Sequence, residues 1–156
     1  MSKSLKRVRA ALEALGLDVE IVEATSVTKT AEDAAKEAGV EVDQIAKSII
    51  FRGGESDTAL LFVTAGANRV DPSKASIVAG EPLLAADAAF IRSTTGFAIG
   101  GVSPVGHVTP SRSFFDPRLM EFDVIWAAAG TPRHNFPVNP RTLCHAIHGQ
   151  EADFTA

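Results

Sequence analysis

A second cysteine is missing from this chain. Cys144 stands alone among 156 residues, so no intrachain disulfide can form. No apolar run reaches membrane-spanning length, and the polar start Met1-Ser2-Lys3-Ser4 is not followed by a signal-peptide core. These absences point to an intracellular, cytoplasmic protein that does not engage a membrane. Positive charge is scarce as well. Against 19 Asp and Glu stand 15 Lys and Arg, a net charge of −4, which argues against a general nucleic-acid binder held by overall charge. A local basic patch at Lys3, Lys6, Arg7 and Arg9 is still open, although these residues read first as the solvated face of a helix. No internal repeat, low-complexity tract or long linker divides the chain, so residues 1–156 are expected to form one domain.

What is present is an ordinary globular composition, 46% hydrophobic and 22% charged, long enough to bury a substantial core. Leu5, Val8, Leu12 and Leu15 share one face of a helix expected over residues 4–15, with Gly16 ending it. Val19 to Val22 alternates like a half-buried strand. Thr30 followed by Asp33 resembles an acidic capping box, opening a short helix that Gly39 closes. A second short helix is expected over 42–46, leading into a strand from Ser48 to Phe51. The turn-rich stretch 52–57 then joins it to Ala59–Val63 as a β-hairpin. Asp71-Pro72 and Asn139-Pro140 each read as a helix start, the latter running to His148 before Gly149. A helix over 85–93 and a strand over 122–127 complete the outline. Hairpins mixed with short helices make regular βαβ units, and hence a doubly wound parallel sheet, a poor description.

The densest motif is Gly96-Phe97-Ala98-Ile99-Gly100-Gly101-Val102-Ser103-Pro104-Val105-Gly106. Glycines let a ligand approach the main chain without meeting a Cβ, and Pro104 stiffens the turn by restricting itself and Ser103. Such a loop presents N–H groups to a carbonyl, a phosphate or an oxyanion. A plain tight turn between strands explains the glycines equally well. The spacing is not the G-x-G-x-x-G of a dinucleotide site, and no P-loop Lys-Ser/Thr follows.

This segment resembles the GGVSP-x-G signature of the YbaK and prolyl-tRNA synthetase-associated editing domain family, hydrolases that remove wrong amino acids from tRNA. The likeness extends to Ile45-Ala46-Lys47-Ser48-Ile49-Ile50-Phe51, to Val63–Asp71, and to Ala129-Gly130-Thr131-Pro132-Arg133-His134-Asn135-Phe136. The resemblance implies an α+β fold: a mixed, largely antiparallel sheet curled toward a barrel, with helices packed outside. It implies an aminoacyl-tRNA deacylase acting in trans, with a substrate of tRNA-Pro type or a related one, and no cofactor. The partners it implies are the 3′-terminal adenosine and acceptor stem of an aminoacyl-tRNA, with an aminoacyl-tRNA synthetase as a further candidate. A non-catalytic module of the same fold, binding tRNA or a synthetase, is the rival expectation.

Lys47 interrupts an apolar stretch, where a lysine can simply snorkel. The family's lysine at this place lines the editing pocket, so the resemblance gives Lys47 a role in anchoring a phosphate or positioning the terminal adenosine. Gly100 and Gly101 are expected to offer backbone donors to the aminoacyl carbonyl. Ser103 lacks the G-x-S-x-G context of a nucleophile and is assigned to loop structure or substrate hydrogen bonding. The resemblance carries His134 in as a catalytic candidate through a Gly-x-Pro-x-His-Asn segment, read as a polar turn, and adds Thr64, Gly130 and Asn135 as substrate contacts. Cys144 and His148 sit one helical turn apart, yet zinc needs three or four ligands and no second cluster is visible. No metal is expected. Asp71 reads as a cap and Asp123 as a strand-edge charge.

Overall fold

The computed structural model describes residues 2–27 and 30–156. Helix α1, Lys3–Ala14, begins where Ser2 Oγ accepts the Leu5 amide, and it buries Leu5, Val8 and Leu12. Leu15 departs from the expected stripe: the helix stops at Ala14, and Leu15 is left as its cap, 39% exposed. Of the strand expected over 19–22, only Val22 joins the sheet, in the two-residue strand Val22–Glu23 (β1). Helix α2, Ala31–Ala38, is capped as its sequence suggests, Thr30 Oγ1 accepting the Asp33 amide and Gly39 closing it.

The short helix expected over 42–46 is a single 3-10 turn, Val42–Gln44, and strand β2 starts earlier than expected and runs Ile45–Gly53. Here β pairing outcompetes helix, because Ile45 and Ala46 have a partner strand in Trp126 and Ala127. Strand β3, Ala59–Ala65, returns along β2 as the expected antiparallel hairpin, in register from Ala46↔Ala65 to Arg52↔Ala59. Helix α3, Pro72–Ala79, starts on the Asp71 carboxylate. Ala85, expected in a helix, belongs instead to strand β4, Leu83–Ala85; Asp87 caps helix α4, Ala88–Thr95, by accepting the Phe90 amide.

Strand β5, Arg112–Phe115, and a 3-10 turn, Pro117–Glu121, precede β6, Ile125–Thr131. That strand begins after Phe122, so Asp123 lies ahead of it rather than on its edge, its carbonyl accepting from Asn139 Nδ2. Strand β7, His134–Val138, pairs back onto β6. Helix α5, Pro140–Ala146, opens on the Asn139 cap but ends short of His148, which turns the chain with a φ of 55° before β8, Gln150–Glu151.

The strands form one sheet in the order β1-β7-β6-β2-β3-β5-β8, with β4 added to β2. The β1–β7, β7–β6, β2–β3 and β2–β4 pairs are antiparallel, and β2–β6, β3–β5 and β5–β8 are parallel. The sheet is therefore mixed, largely antiparallel, curled and unclosed. Strand β3 lies inside it, between β2 and β5, and every one of its residues is buried. Alternate side chains serve two cores. Leu61, Val63 and Ala65 join Val8, Leu12, Phe97 and Phe136. Leu60 and Phe62 join Phe114, Phe154, Ala75 and Ala79, with Phe62 stacked on Phe114 at 5.0 Å.

Strand β2 has a different character on its two edges. One edge is zipped to β3 along its length. The other is held by β6 only at Ile45 and Ala46, and by β4 only at Phe51 to Gly53. Residues 47–50 have no strand on that side. This gap positions the site.

The end of β3 is fastened by Asp116, 2% exposed. Its carboxylate accepts the Ala65 amide at 3.1 Å, Asn68 Nδ2 at 2.9 Å and the Arg118 amide at 2.9 Å. Replacing Asp116 with alanine orphans these donors and should cost about 3 kcal/mol. Urea denaturation measures this; a loss below about 0.5 kcal/mol, the range of an ordinary surface substitution, would contradict the fastening role.

Candidate functional site

Over the gap in β2 lies a pocket of about 450 Å³. Lys47, Ser48, Ile49 and Ile50 form its floor. In a strand alternate residues turn their N–H and C=O groups to opposite edges, so part of this floor offers main-chain donors and acceptors with no strand opposite. Trp126, Ala128 and Asn135 supply one wall, and Ile91, Ile99, Gly100 and Val102 another. The start of α2, from Thr30 to Ala34, closes a third side. The lining is mainly apolar, with Thr30, Lys47, Ser48 and Asn135 as polar exceptions. The Asn135 carboxamide has no hydrogen-bond partner among the described residues, and the Ser48 Oγ is buried without one.

Lys47 is half-buried, and its Nζ donates to the Asn68 carbonyl at 2.6 Å. Burial pushes its pKa below the ordinary lysine value, and the neighbouring Arg69 charge adds to that push. The carboxylates of Glu32, Asp116 and Asp43 pull the other way. Lys47 is thus a constrained cation in the pocket wall, held by a carbonyl rather than by a carboxylate.

The two loop glycines differ. Gly100 has a φ of 96°, is exposed, and faces open space, with Pro132 Cγ 4.0 Å from where a Cβ would lie. Its amide has no protein acceptor among the described residues. The Gly101 amide, by contrast, is committed to the Ala98 carbonyl at 3.1 Å. A Cβ on Gly101 would stand 2.8 Å from the Gly130 carbonyl oxygen, so these two backbones touch. The pair therefore divides the work: Gly101 allows the loop to lie against β6, and Gly100 presents itself to the pocket; Gly130 instead makes room for the Ser4 backbone at the start of α1.

Ser103 is fully buried; its Oγ accepts the Val105 amide at 3.3 Å, which fits loop structure and not a substrate contact. Thr64 is likewise fully buried, paired with Lys47 across the hairpin, and its hydroxyl donates to the Phe62 carbonyl of its own strand. Neither reaches the pocket. His134 is not in a turn; it opens β7. Its Nδ1 lies 2.6 Å from Thr131 Oγ1 and its Nε2 3.8 Å from Glu23. It borders a second hollow, of about 510 Å³, with Glu23, Val27 and Arg133. Neighbouring residues on a strand face opposite ways, so Asn135 enters the Lys47 pocket and His134 does not.

Sequence reasoning missed His107, which sits under the glycine loop. Its Nε2 contacts the Ser103 carbonyl at 2.6 Å, so Nε2 carries the proton and Nδ1 accepts from Ser111 Oγ at 3.0 Å. Burial lowers its pKa, opposed by the bond to Ser103. A histidine three residues beyond the Ser-Pro pair was the available signal. The first basic cluster also reads differently: Arg7 leaves the solvated face to donate to the Gly96 carbonyl at 3.2 Å and to lie over Phe97. Cys144 is partly buried, and burial raises its thiol pKa. No group of three metal-ligating side chains occurs among the described residues, and no helix is long and apolar enough to cross a membrane.

Comparison with known proteins bears directly on this pocket. A model of the aminoacyl-tRNA editing domain matches residues 25–145, a span that holds all of the pocket residues described above. The chain belongs to the aminoacyl-tRNA editing domain family. The YwhH protein of Bacillus subtilis (strain 168), which is uncharacterised, is 31% identical over 140 residues, covering 90% of this chain and 88% of its own. A proposed trans-editing enzyme for prolyl tRNA synthetase is similar in structure, with a TM-score of 0.94 and 43% identity over 100% of this chain and 99% of its own. The hypothetical protein APE2540 has a TM-score of 0.88 and 25% identity, covering 96% of this chain and 99% of that one. The curled α+β sheet is thus an editing-domain fold.

Two outcomes are expected of this editing domain. In the folded state burial lowers the pKa of His107, while in the unfolded chain it titrates near its ordinary value of about 6.5. Below that pH the unfolded state binds the extra proton, so stability is complete above about 6.5 and falls as the pH drops through the lowered folded value. His107→Gln keeps a donor for Ser103 and should flatten this acid loss; equal pH dependence of the urea midpoint in both proteins would refute the assignment. For the glycines, Gly100→Ala should cost about 1–2 kcal/mol of left-handed strain, whereas Gly101→Ala drives a methyl into the Gly130 backbone and should lower the melting temperature further. The reverse order would show the loop contact to be misread.

Proposed function

We propose that this editing domain is a deacylase that acts in trans on mischarged tRNA. It hydrolyses the ester between the amino acid and the 3′-terminal adenosine. The observation that carries the reading is the conjunction, in one largely apolar pocket, of a constrained lysine, an unengaged loop amide and an unpartnered carboxamide. The structural likeness to a proposed trans-editing enzyme for prolyl tRNA synthetase supports it.

In this reading the aminoacyl group enters the gap along β2, with its side chain against the apolar walls. A water oxygen attacks the carbonyl carbon, and the carbonyl oxygen becomes an oxyanion. The Gly100 amide is the donor placed to receive that charge, and such a fixed donor contributes about 2.7–4 kcal/mol elsewhere. Collapse expels the ribose oxygen, which takes up a proton, leaving free amino acid and intact tRNA. The substrate's neighbouring ribose hydroxyl is a suitable proton relay. Lys47 holds the terminal nucleotide, and Asn135 orients the amino acid. Gly101 acts indirectly, by seating the loop on the β6–β7 turn, and Gly130 and His134 by fixing that turn against Ser4 and through Thr131. No metal or organic cofactor takes part. A pocket of this kind excludes a bulkier correct amino acid more sharply than it rejects a smaller one.

The test is a deacylation screen of purified protein against tRNAs charged with alanine, cysteine, serine and threonine. Turnover on at least one is expected, and Lys47→Ala should lower kcat/KM by about 10–100-fold, the worth of a charge-assisted hydrogen bond. Cys144→Ala should leave it unchanged. Tight tRNA binding without turnover would identify a non-catalytic binding module instead.

A further inference from the structure

Beside the pocket, the turn that follows β3 is unusually well fixed. Asp116 holds its Ala65 amide and Asn68 side chain, and Asp43 accepts the Ala67 amide at 2.9 Å. This bracing delivers the Asn68 carbonyl to the Lys47 ammonium at 2.6 Å. The next residue along the turn is Arg69. Its backbone is tied down, its carbonyl accepting the Ala156 amide at 3.0 Å, yet the side chain is exposed, and the guanidinium makes no ion pair or hydrogen bond with any described residue. Its charge is nevertheless close enough to act on Lys47.

The Lys47 ammonium and Arg69 thus meet at one braced turn, and neither is ion-paired with a carboxylate among the described residues; Glu32, Asp116 and Asp43 act on Lys47 without touching it. Asp116 is occupied by three donors, and Asp43 is bound to Arg118 at 2.9 Å. Arg52 and Arg118 show the contrast, each paired with an aspartate. Like charges kept close without a counter-ion are an arrangement that an incoming anion relieves. Lys47 lies in the pocket wall, whereas Arg69 is exposed and outside it. Lys47 is therefore the member inside the site, and Arg69 the member on the open surface of the adjoining turn.

We infer that Arg69 and Lys47 together clamp one phosphodiester of an RNA 3′ end at the mouth of the pocket. Lys47 supplies a compact charge from inside, and the Arg69 guanidinium supplies a planar fork from outside. That RNA is the source of the phosphate rests on the deacylase reading; the two-cation site itself rests on the turn geometry. Arg69 would then set affinity and register for the nucleic acid, since a phosphate contact positions without reading sequence.

The experiment uses the full chain and two probes: a short single-stranded RNA ending in CCA-3′, uncharged and fluorescently labelled, and inorganic phosphate. Arg69→Ala should melt like the wild type, because its side chain has no partner to lose. It should bind the RNA roughly 10-fold more weakly, as for one lost charge-assisted contact. The slope of log affinity against log salt should become shallower by about 0.7, the single-strand value for one phosphate. Arg69→Lys should restore the slope but not the full affinity. In the deacylation assay the loss should appear in KM. RNA affinity and salt slope unchanged in Arg69→Ala overturn the clamp, as does Arg69-dependent binding of inorganic phosphate with Arg69-independent binding of RNA. Arg69-dependent RNA binding by a wild type that deacylates no charged tRNA sustains the clamp and sinks the deacylase. Deacylation with Arg69→Ala indistinguishable from wild type does the opposite.

Discussion

The interrupted outer edge of β2 is the constraint on which the rest of this structure depends. A strand inside a sheet normally satisfies both edges, because a buried unpaired backbone group is costly. Here β6 releases β2 after Ala46 and β4 takes hold only at Phe51. The stretch between can stay open because its other edge is zipped to β3, which is buried on both faces and anchors the hairpin in two cores. Rigidity on one side of the strand makes the vacancy on the other side stable. The pocket follows from that asymmetry.

Close backbone contacts then decide what lines the vacancy. Gly101 against Gly130 brings the 96–106 loop down onto β6, and His107 holds the Ser103 carbonyl from below. The loop can therefore turn Gly100 toward the pocket with little freedom of its own. On the opposite side, the buried Asp116 organises the turn that delivers the Asn68 carbonyl to Lys47. An editing reaction read in these terms asks little of acid–base chemistry. It asks for a fixed amide, a fixed cation and walls of limited size.

Much of the local structure was legible because its causes are local. Thr30, Asp71 and Asn139 cap the helices that follow them, as their side chains and spacing suggest. The β2–β3 hairpin was legible from two apolar runs around a turn-rich loop. Strand β7 was not, since Pro137 lies within it and lacks an N–H. The sheet tolerates it because β1 pairs only with His134 and Asn135, leaving the outer edge at Pro137 free. Strands β4 and β8 were illegible for another reason: each is too short to show a period.

The site divides in the same way. Sequence by itself determined the chemistry available: a lysine interrupting an apolar strand, a glycine-rich loop with a stiff Ser-Pro, and the ordered motifs that mark the editing family. It also determined where helices stop and start, since caps act within a few residues. Only tertiary structure decided which groups meet. Adjacent residues on β7 face opposite sides, so Asn135 enters the Lys47 pocket while His134 turns to Thr131 and Glu23. Thr64 and Ser103 are polar in sequence and wholly buried in the fold, their hydroxyls spent on the backbone. The face a side chain takes is set by strand register and by the partner across it, and neither is written within the few residues that make a motif.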